Sequence, residues 1–567
     1  MTATDTQRAG RREWIGLAVL ALACLLYAMD LTVLHLAVPS LSAELRPSSA
    51  QLLWITDIYG FMVAGFLVTM GTLGDRIGRR RLLLLGGAAF GAVSVLAAFS
   101  GTPEMLIAAR ALLGIAGATL APSTLSLIFS MFTDPAQRSR AIGIWITAFS
   151  AGGAIGPVLG GVLLERFWWG SVFLLAVPVM ALLLLLGPRV LPEYKDPQAG
   201  RLDLVSAAMS LVAVLAVVFG LKLFAQDGFS AVAVAAVVVG LAVGVAFVRR
   251  QRSLADPMID LQLFRIRTFN AALTTNLLGI FIAVGYFLFV AQYLQLVLGL
   301  SPLEAGLWSL PSAAGFIVGS NLAPRVLRGV RPATVIGAGL ALGAVGLALL
   351  TQVGRSTDAD LAILAGASLI VSLGLAPVFT ATTELIVGSA PPERAGAASG
   401  ISETGAELGG ALGIALLGSI GVAIYRGRLA DALPDGLPAE AVATARETLG
   451  AAVGVAGQLP EAAGAALLAA AQDAFTFGLQ LTAGLSAAVA VAIAALATVM
   501  LQQVPAAADV EPAAEPAPPE PEPVPAAVAQ PERRFQVVPE ENFQLIRSGS
   551  GCMACPPEPR PSEDQRP

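Results

Sequence analysis

Residues 51–100 read QLLWITDIYGFMVAGFLVTMGTLGDRIGRRRLLLLGGAAFGAVSVLAAFS. Two apolar runs, 51–71 and 82–100, flank a short polar loop that carries Asp75, Arg76, Arg79, Arg80 and Arg81. About 20 residues at ~1.5 Å each make a helix of ~30 Å, the thickness of a bilayer's hydrocarbon layer. Neither run alternates polar and apolar residues as a membrane barrel strand must. The stretch reads as a helical hairpin that crosses a membrane twice, with its basic loop on one side.

The same pattern fills most of the chain. Of 567 residues, 56% are hydrophobic and 13% charged, with a mean hydropathy of +0.76. A soluble chain carries about 25% charged residues. The net charge of -5 says little, because it sums over two sides of a membrane. Only Lys195 and Lys222 are lysines, so nearly all positive charge is arginine. Arg8, Arg11 and Arg12 precede the first apolar run, as in a signal peptide. That run continues to about Pro39, contains Asp30 and has no small-residue cleavage site, so an uncleaved first span is expected.

Fourteen candidate spans follow, with cores near 14–39, 51–71, 82–100, 104–129, 141–163, 168–187, 202–222, 230–248, 269–297, 303–323, 332–352, 360–387, 396–422 and 476–502. With the N-terminus inside, Lys and Arg are roughly threefold more numerous on the inner loops than on the outer ones, where Lys222 is counted. That bias supports the count and places both termini in the cytoplasm. Residues 423–475 are an outer connection, broken at Pro434 and Pro460 and expected to hold short surface helices. Residues 503–567, rich in Pro, Glu and Ala, are expected to be a disordered tail. Cys552 and Cys555 lie there, with no nearby His and no second pair, so an incidental pair is favoured over a metal or redox site.

Ionisable residues inside spans are costly and point to function. They are Asp30, Asp57, Arg110, Glu384, Glu403 and Glu407. Counted from the outer helix ends, Asp57 and Arg110 lie about 9 Å deep and Asp30 about 13 Å deep, one layer within the error of the boundaries. An Asp–Arg pair there is either a static structural pair or a proton-exchanging carboxylate tuned by Arg110. Glu403 and Glu407 sit four residues apart on one helix face, beside Ser402 and Thr404. They either line a wet cavity passively or carry a proton. Glu384, near an inner helix end, reads as structural. His35, the single histidine, is roughly 140° around the helix from Asp30 and reads as a packing or hydrogen-bonding residue.

Four acids against one intramembrane Arg110 make a cavity that favours cations. Trp54, Tyr59, Phe61, Phe281, Tyr286 and Phe287 are available to hold a lipophilic cation, although each alone is more often packing. The chain has no GxxxxGK[ST] loop, no dinucleotide fingerprint and no soluble domain that would hold an ATPase. An ion gradient is the expected energy source, worth ~2.3 kcal/mol per charge per 100 mV of potential. No cofactor, metal or nucleic acid is expected. A polytopic membrane enzyme is disfavoured, because one histidine offers neither metal spacing nor a Ser–His pair.

The loop Gly71-Thr-Leu-Gly74-Asp75-Arg76-Ile-Gly78-Arg79-Arg-Arg81 resembles the signature loop of the major facilitator superfamily. The resemblance implies that Asp75, Arg76 and Arg79 clamp the two halves of the protein. Arg110-Ala-Leu-Leu-Gly114 resembles the family's intramembrane arginine motif. Gly152-Gly-Ala-Ile-Gly156-Pro157-Val-Leu-Gly160-Gly161 resembles its antiporter motif, whose small residues let helices approach and whose proline bends the span. The stretch from Asp30 to Pro39 is similar to a further motif of fourteen-helix members, with His35 where those carry Asn. Pro324-Arg325-Val-Leu-Arg328 is a degenerate echo of the 71–81 loop.

Residues 54–61 and 402–410 are most similar to the fourteen-spanner drug:proton antiporters, the quaternary-ammonium and multidrug exporters of the QacA type. The likeness covers about residues 14–502. It implies an all-α membrane protein of the major facilitator fold: a six-helix bundle in 1–189, two inserted helices in 190–267, and a second six-helix bundle in 268–502. It further implies a monomer in the cytoplasmic membrane that exports cationic or hydrophobic small molecules against protons, with Asp30, Asp57, Arg110, Glu403 and Glu407 in coupling and recognition. Export of an endogenous metabolite, antibiotic or lipid is the alternative.

Overall fold

A computed structural model describes residues 8–506 apart from 48, 196–202, 228–229, 255–256, 356, 392–393 and 434–436. The side chains of His35, Pro157 and Gly161 lie outside the description, as do the expected break at Pro434, the tail from 507 onward and its Cys552 and Cys555. The described residues belong to one compact unit. Among them every regular element is a helix.

The chain opens with α1 (Arg11–Leu45), α2 (Ser49–Ile77) and α3 (Arg79–Ala98). Then come α4 (Pro103–Gly117), α5 (Leu120–Met131), α6 (Pro135–Arg166), α7 (Ser171–Leu174) and α8 (Ala176–Val190). α9 (Leu204–Asp227) and α10 (Ala231–Ser253) are the inserted helices. The second half holds α11 (Arg267–Gln292), α12 (Pro302–Trp308), α13 (Leu310–Gly329), α14 (Pro332–Leu349), α15 (Thr357–Gly388) and α16 (Ala395–Ala432). It ends with α17 (Ala439–Ala445), α18 (Leu449–Ala456) and α19 (Glu461–Leu501).

Caps start several of these helices. The side chains of Thr102, Asp134 and Ser301 accept from the backbone N–H groups of Met105, Gln137 and Glu304, and a proline follows each cap at the first helical position. Two expected spans are each split in two. The α4–α5 break falls four residues before Pro122, and the α7–α8 break three residues before Pro178. A proline ring clashes with the carbonyl four residues back and leaves it without its N–H partner, which accounts for both places.

Twelve helical stretches among the described residues are long and apolar enough to cross a membrane. They match twelve of the fourteen expected spans. The other two, 141–163 and 303–323, lie in α6 and in α12 with α13; α6 packs along α1, and α13 along α15. α1 runs helical through Pro39 to Leu45. The connection expected over 423–475 is shorter, because α16 continues to Ala432 and α19 already begins at Glu461. The short helices α17 and α18 fill it, and the Tyr425 hydroxyl ties it down by donating to Ala445 O at 2.7 Å.

The halves meet where α2 and α5 pack on α16 and where α6 packs on α13 and α15. α9 and α10 pack against each other, and α9 also lies on α2 and α16. Phe61 of α2, Val218 and Leu221 of α9, and Ala411 and Ala415 of α16 form one buried cluster. The insertion thus closes on the seam between the halves.

Candidate functional site

Arg110 projects from α4 into the first half. Its Nη1 donates to Asp30 Oδ2 on α1 at 2.9 Å, and its Nε to Ile55 O at 3.1 Å. Its Nη2 reaches Thr56 O at 3.5 Å, and its guanidinium lies 4.8 Å from the centre of the Tyr59 ring. Both charged side chains are buried. A planar fork with five N–H donors suits this task, because it serves one carboxylate and two carbonyls at once. A buried charge without such partners would cost several kcal/mol.

Asp57, on α2, is not part of that pair. It binds Lys222 Nζ of α9 at 3.0 Å, both side chains being about a quarter exposed. The ammonium also lies 4.5 Å from the centre of the Phe61 ring. The Phe61 ring belongs to an aromatic group with Trp54 and Phe219, the latter two stacked at 6.5 Å. Lys222, counted above among the outer-loop residues, is therefore inside α9, followed by one more helical turn. Its signal in the sequence is that Leu223, Phe224 and Ala225 continue the apolar run beyond it.

Glu403 and Glu407 are half-buried on α16. Both act electrostatically on Tyr27 of α1; Glu407 also reaches Tyr59 of α2 and Lys222 of α9. α16, which carries both glutamates, packs on α2 and α9, the helices of the Asp57–Lys222 pair. Of the other aromatics singled out, Tyr286 is buried beside Phe287, its hydroxyl donating to Ser368. Phe281 backs onto α16, where a Cβ on Gly413 would strike its backbone.

The 71–81 loop reaches across the halves at one end of the bundle. Asp75 accepts from the backbone N–H groups of Gly396 and Ala397, at 3.0 and 2.8 Å, and so caps the N-terminus of α16. Arg79 is buried and donates from Nε to Asp75 Oδ1 at 3.0 Å and from Nη1 to Ser126 O at 3.3 Å. Arg76 sits beside them in the last turn of α2. The backbones of Gly71 and Gly396 approach so closely that a Cβ on either would collide with the other strand of the contact. Gly78 has φ 111°, a left-handed conformation that disfavours any side chain, and a Cβ there would strike Glu193. Gly74 packs on Leu82.

In the glycine-rich stretch of α6, Gly152 lies against Leu25 O of α1, where a Cβ has no room. Gly156 and Gly160 are buried in the same helix. α6 is one continuous helix through Pro157. About one and a half turns before Gly152, Thr147 hydrogen-bonds with Ser320 of α13 at 2.7 Å and accepts from Asn321 Nδ2 at 2.9 Å.

The family model of the Major Facilitator Superfamily matches residues 20–414. The chain belongs to this superfamily. It is 45% identical over 499 residues to the multidrug efflux pump LfrA of Mycolicibacterium smegmatis, covering 88% of this chain and 98% of that one. It is 38% identical over 474 residues to the methyl viologen resistance protein SmvA of Salmonella typhimurium, covering 82% and 93%. Among solved structures, the human organic anion transporter MFSD10 (TETRAN) superposes with a TM-score of 0.52 at 18% identity, over 84% of this chain and 99% of that one, a likeness of fold. The chain is thus a multi-pass membrane transporter, not an enzyme.

Proposed function

We propose that this transporter is a proton-coupled antiporter that exports hydrophobic and cationic drugs across the cytoplasmic membrane by alternating access. The observation that carries the reading is the charge balance of the seam. Asp30, Asp57, Glu403 and Glu407 lie on the helices at and behind it with Arg110 and Lys222, so acids outnumber bases and attract a cation. The relatives named for multidrug efflux and for resistance to methyl viologen, a dication, support the same chemistry.

Protons arriving from outside neutralise acids of the seam and release the cation outward. Return to the inward-facing form deprotonates them and draws in the next cation. Asp30 suits proton coupling because its partner Arg110 keeps two backbone carbonyls and the Tyr59 face when the carboxylate is protonated. With both termini cytoplasmic, as the basic inner loops favour, the Asp75–α16 contact closes the cytoplasmic end, and the conformation described is closed to the inside. In this reading fourteen helices cross the membrane and the monomer is the working unit.

The test is purified protein in liposomes under an imposed pH gradient, following ethidium. Gradient-driven movement that collapses with a protonophore is expected. Folded protein that moves none of a panel of lipophilic cations would overturn the drug-exporter reading in favour of an endogenous metabolite or lipid.

A further inference from the structure

The Lys222 ammonium makes the contacts that a bound lipophilic cation would be expected to make. It sits 3.0 Å from the Asp57 carboxylate and 4.5 Å from the centre of Phe61, whose ring packs with Trp54 and Phe219, and within the field of Glu407. A carboxylate and aromatic faces are the two elements that hold an organic cation at a half-desolvated site. Yet the occupant here is tethered to an inserted helix, which packs on both halves through Phe61, Val218, Leu221, Ala411 and Ala415.

We propose that Lys222 is a built-in competitor: a tethered cation that fills the Asp57–Phe61 subsite and that a cationic substrate must displace. The inference rests on the cation-exporter reading above. It assigns the inserted pair α9–α10 a part in recognition rather than a role as filler. A substrate sees the subsite only for the fraction of time that Lys222 is off it, and its apparent affinity falls by that fraction. The lysine also sets charge selectivity. With Lys222 in place Asp57 is neutralised and Glu407 is left for one positive charge; without it, two acids face the substrate, which favours dications.

Two measurements on the full-length protein in detergent or nanodiscs test this. The first is equilibrium binding of ethidium, a monocation, and of methyl viologen, a dication, to wild type, Lys222→Met, Lys222→Arg and Lys222→Met with Asp57→Asn. Lys222→Met is expected to tighten ethidium binding about fivefold and methyl viologen binding more. Lys222→Arg is expected to match wild type, and adding Asp57→Asn to cancel the gain. Unchanged or weaker binding in a folded Lys222→Met protein overturns the proposal while leaving the exporter reading intact. Absence of cation binding in every variant, wild type included, overturns both.

The second measurement needs no variant. Lys195 and Lys222 are the only lysines, so modification by an amine-reactive reagent is read by peptide mass spectrometry, with Lys195 as the internal reference. Saturating ethidium is expected to speed modification of Lys222 relative to Lys195 as the ammonium leaves Asp57. A ratio that does not rise overturns displacement.

Discussion

Asp75→Asn tests the proposed gate at one end of the bundle. The carboxylate of Asp75 takes two backbone N–H groups of α16, from Gly396 at 3.0 Å and Ala397 at 2.8 Å, and it is buried. An asparagine offers one acceptor oxygen; its NH2 group faces the second N–H as donor against donor. One hydrogen bond to a charged acceptor is lost, ~1.5–3 kcal/mol, together with ~0.3–1 kcal/mol of carboxylate–helix attraction. The Arg79 bond to Asp75 lies within one half and is present whether the gate is open or closed, so it drops out of the difference. The sum, ~2–4 kcal/mol, shifts the open-to-closed ratio at this end by about 30- to 900-fold. Spin labels at Arg81→Cys on α3 and Arg328→Cys on α13, both exposed, read that ratio by pulsed dipolar spectroscopy once Cys24, Cys552 and Cys555 are replaced. A longer label–label distance should dominate in Asp75→Asn. An unchanged distance distribution in a folded variant would refute the clamp and leave Asp75 as a helix cap without conformational weight.

Four further outcomes are expected. Asp30→Asn should leave ethidium binding in place but abolish its pH-driven movement in liposomes, because the amide keeps a hydrogen-bonding oxygen for Arg110 while losing the titrating group; undiminished transport would remove Asp30 from coupling. Arg110→Lys should lower thermal stability by ~2–3 kcal/mol, since a point charge cannot serve Asp30, Ile55 O and Thr56 O together, and a melting temperature equal to wild type would contradict this. Gly152→Leu should force α6 off α1 and cost folded yield or transport, whereas wild-type behaviour would mean that the contact with Leu25 O yields easily. Asp203, just outside the membrane-crossing stretch Leu204–Phe224, has its carboxyl held below the usual range by the Ser206 hydroxyl and by Arg250. A depressed folded-state value gives stability that is present above the unfolded carboxylate value and lost as pH falls through the folded one. Amide protection at 204–207, corrected for intrinsic exchange, should fall in that acid window in wild type, and a matching fall in Asp203→Asn would exclude the carboxylate as its cause.

Several features were legible without coordinates because they depend on local chemistry. A 20-residue apolar run has one way to satisfy its backbone in lipid, so the helices lie where hydropathy puts them. Asp75, Gly78 and Arg79 were legible through the resemblance of the 71–81 loop to the superfamily's signature loop. The i, i+4 spacing of Glu403 and Glu407 placed both acids on one helix face whatever surrounds them.

Partnership was not legible in the same way. Depth along a helix suggested that Asp30, Asp57 and Arg110 share a layer, but depth is one coordinate and pairing needs three. Rotation of α4 against α1 and α2 gives Arg110 to Asp30. The docking of α9 on α2 gives Asp57 to Lys222. Basic-residue counting alone put that lysine in a loop, because a charge near the end of an apolar run looks the same whether it snorkels to water or turns inward to an acid. Sequence thus determined the membrane helices, the 71–81 loop and the inventory of acids. Which base each acid meets, and that an inserted helix supplies one of those bases, was decided by helix packing, because those contacts join residues that no local pattern relates.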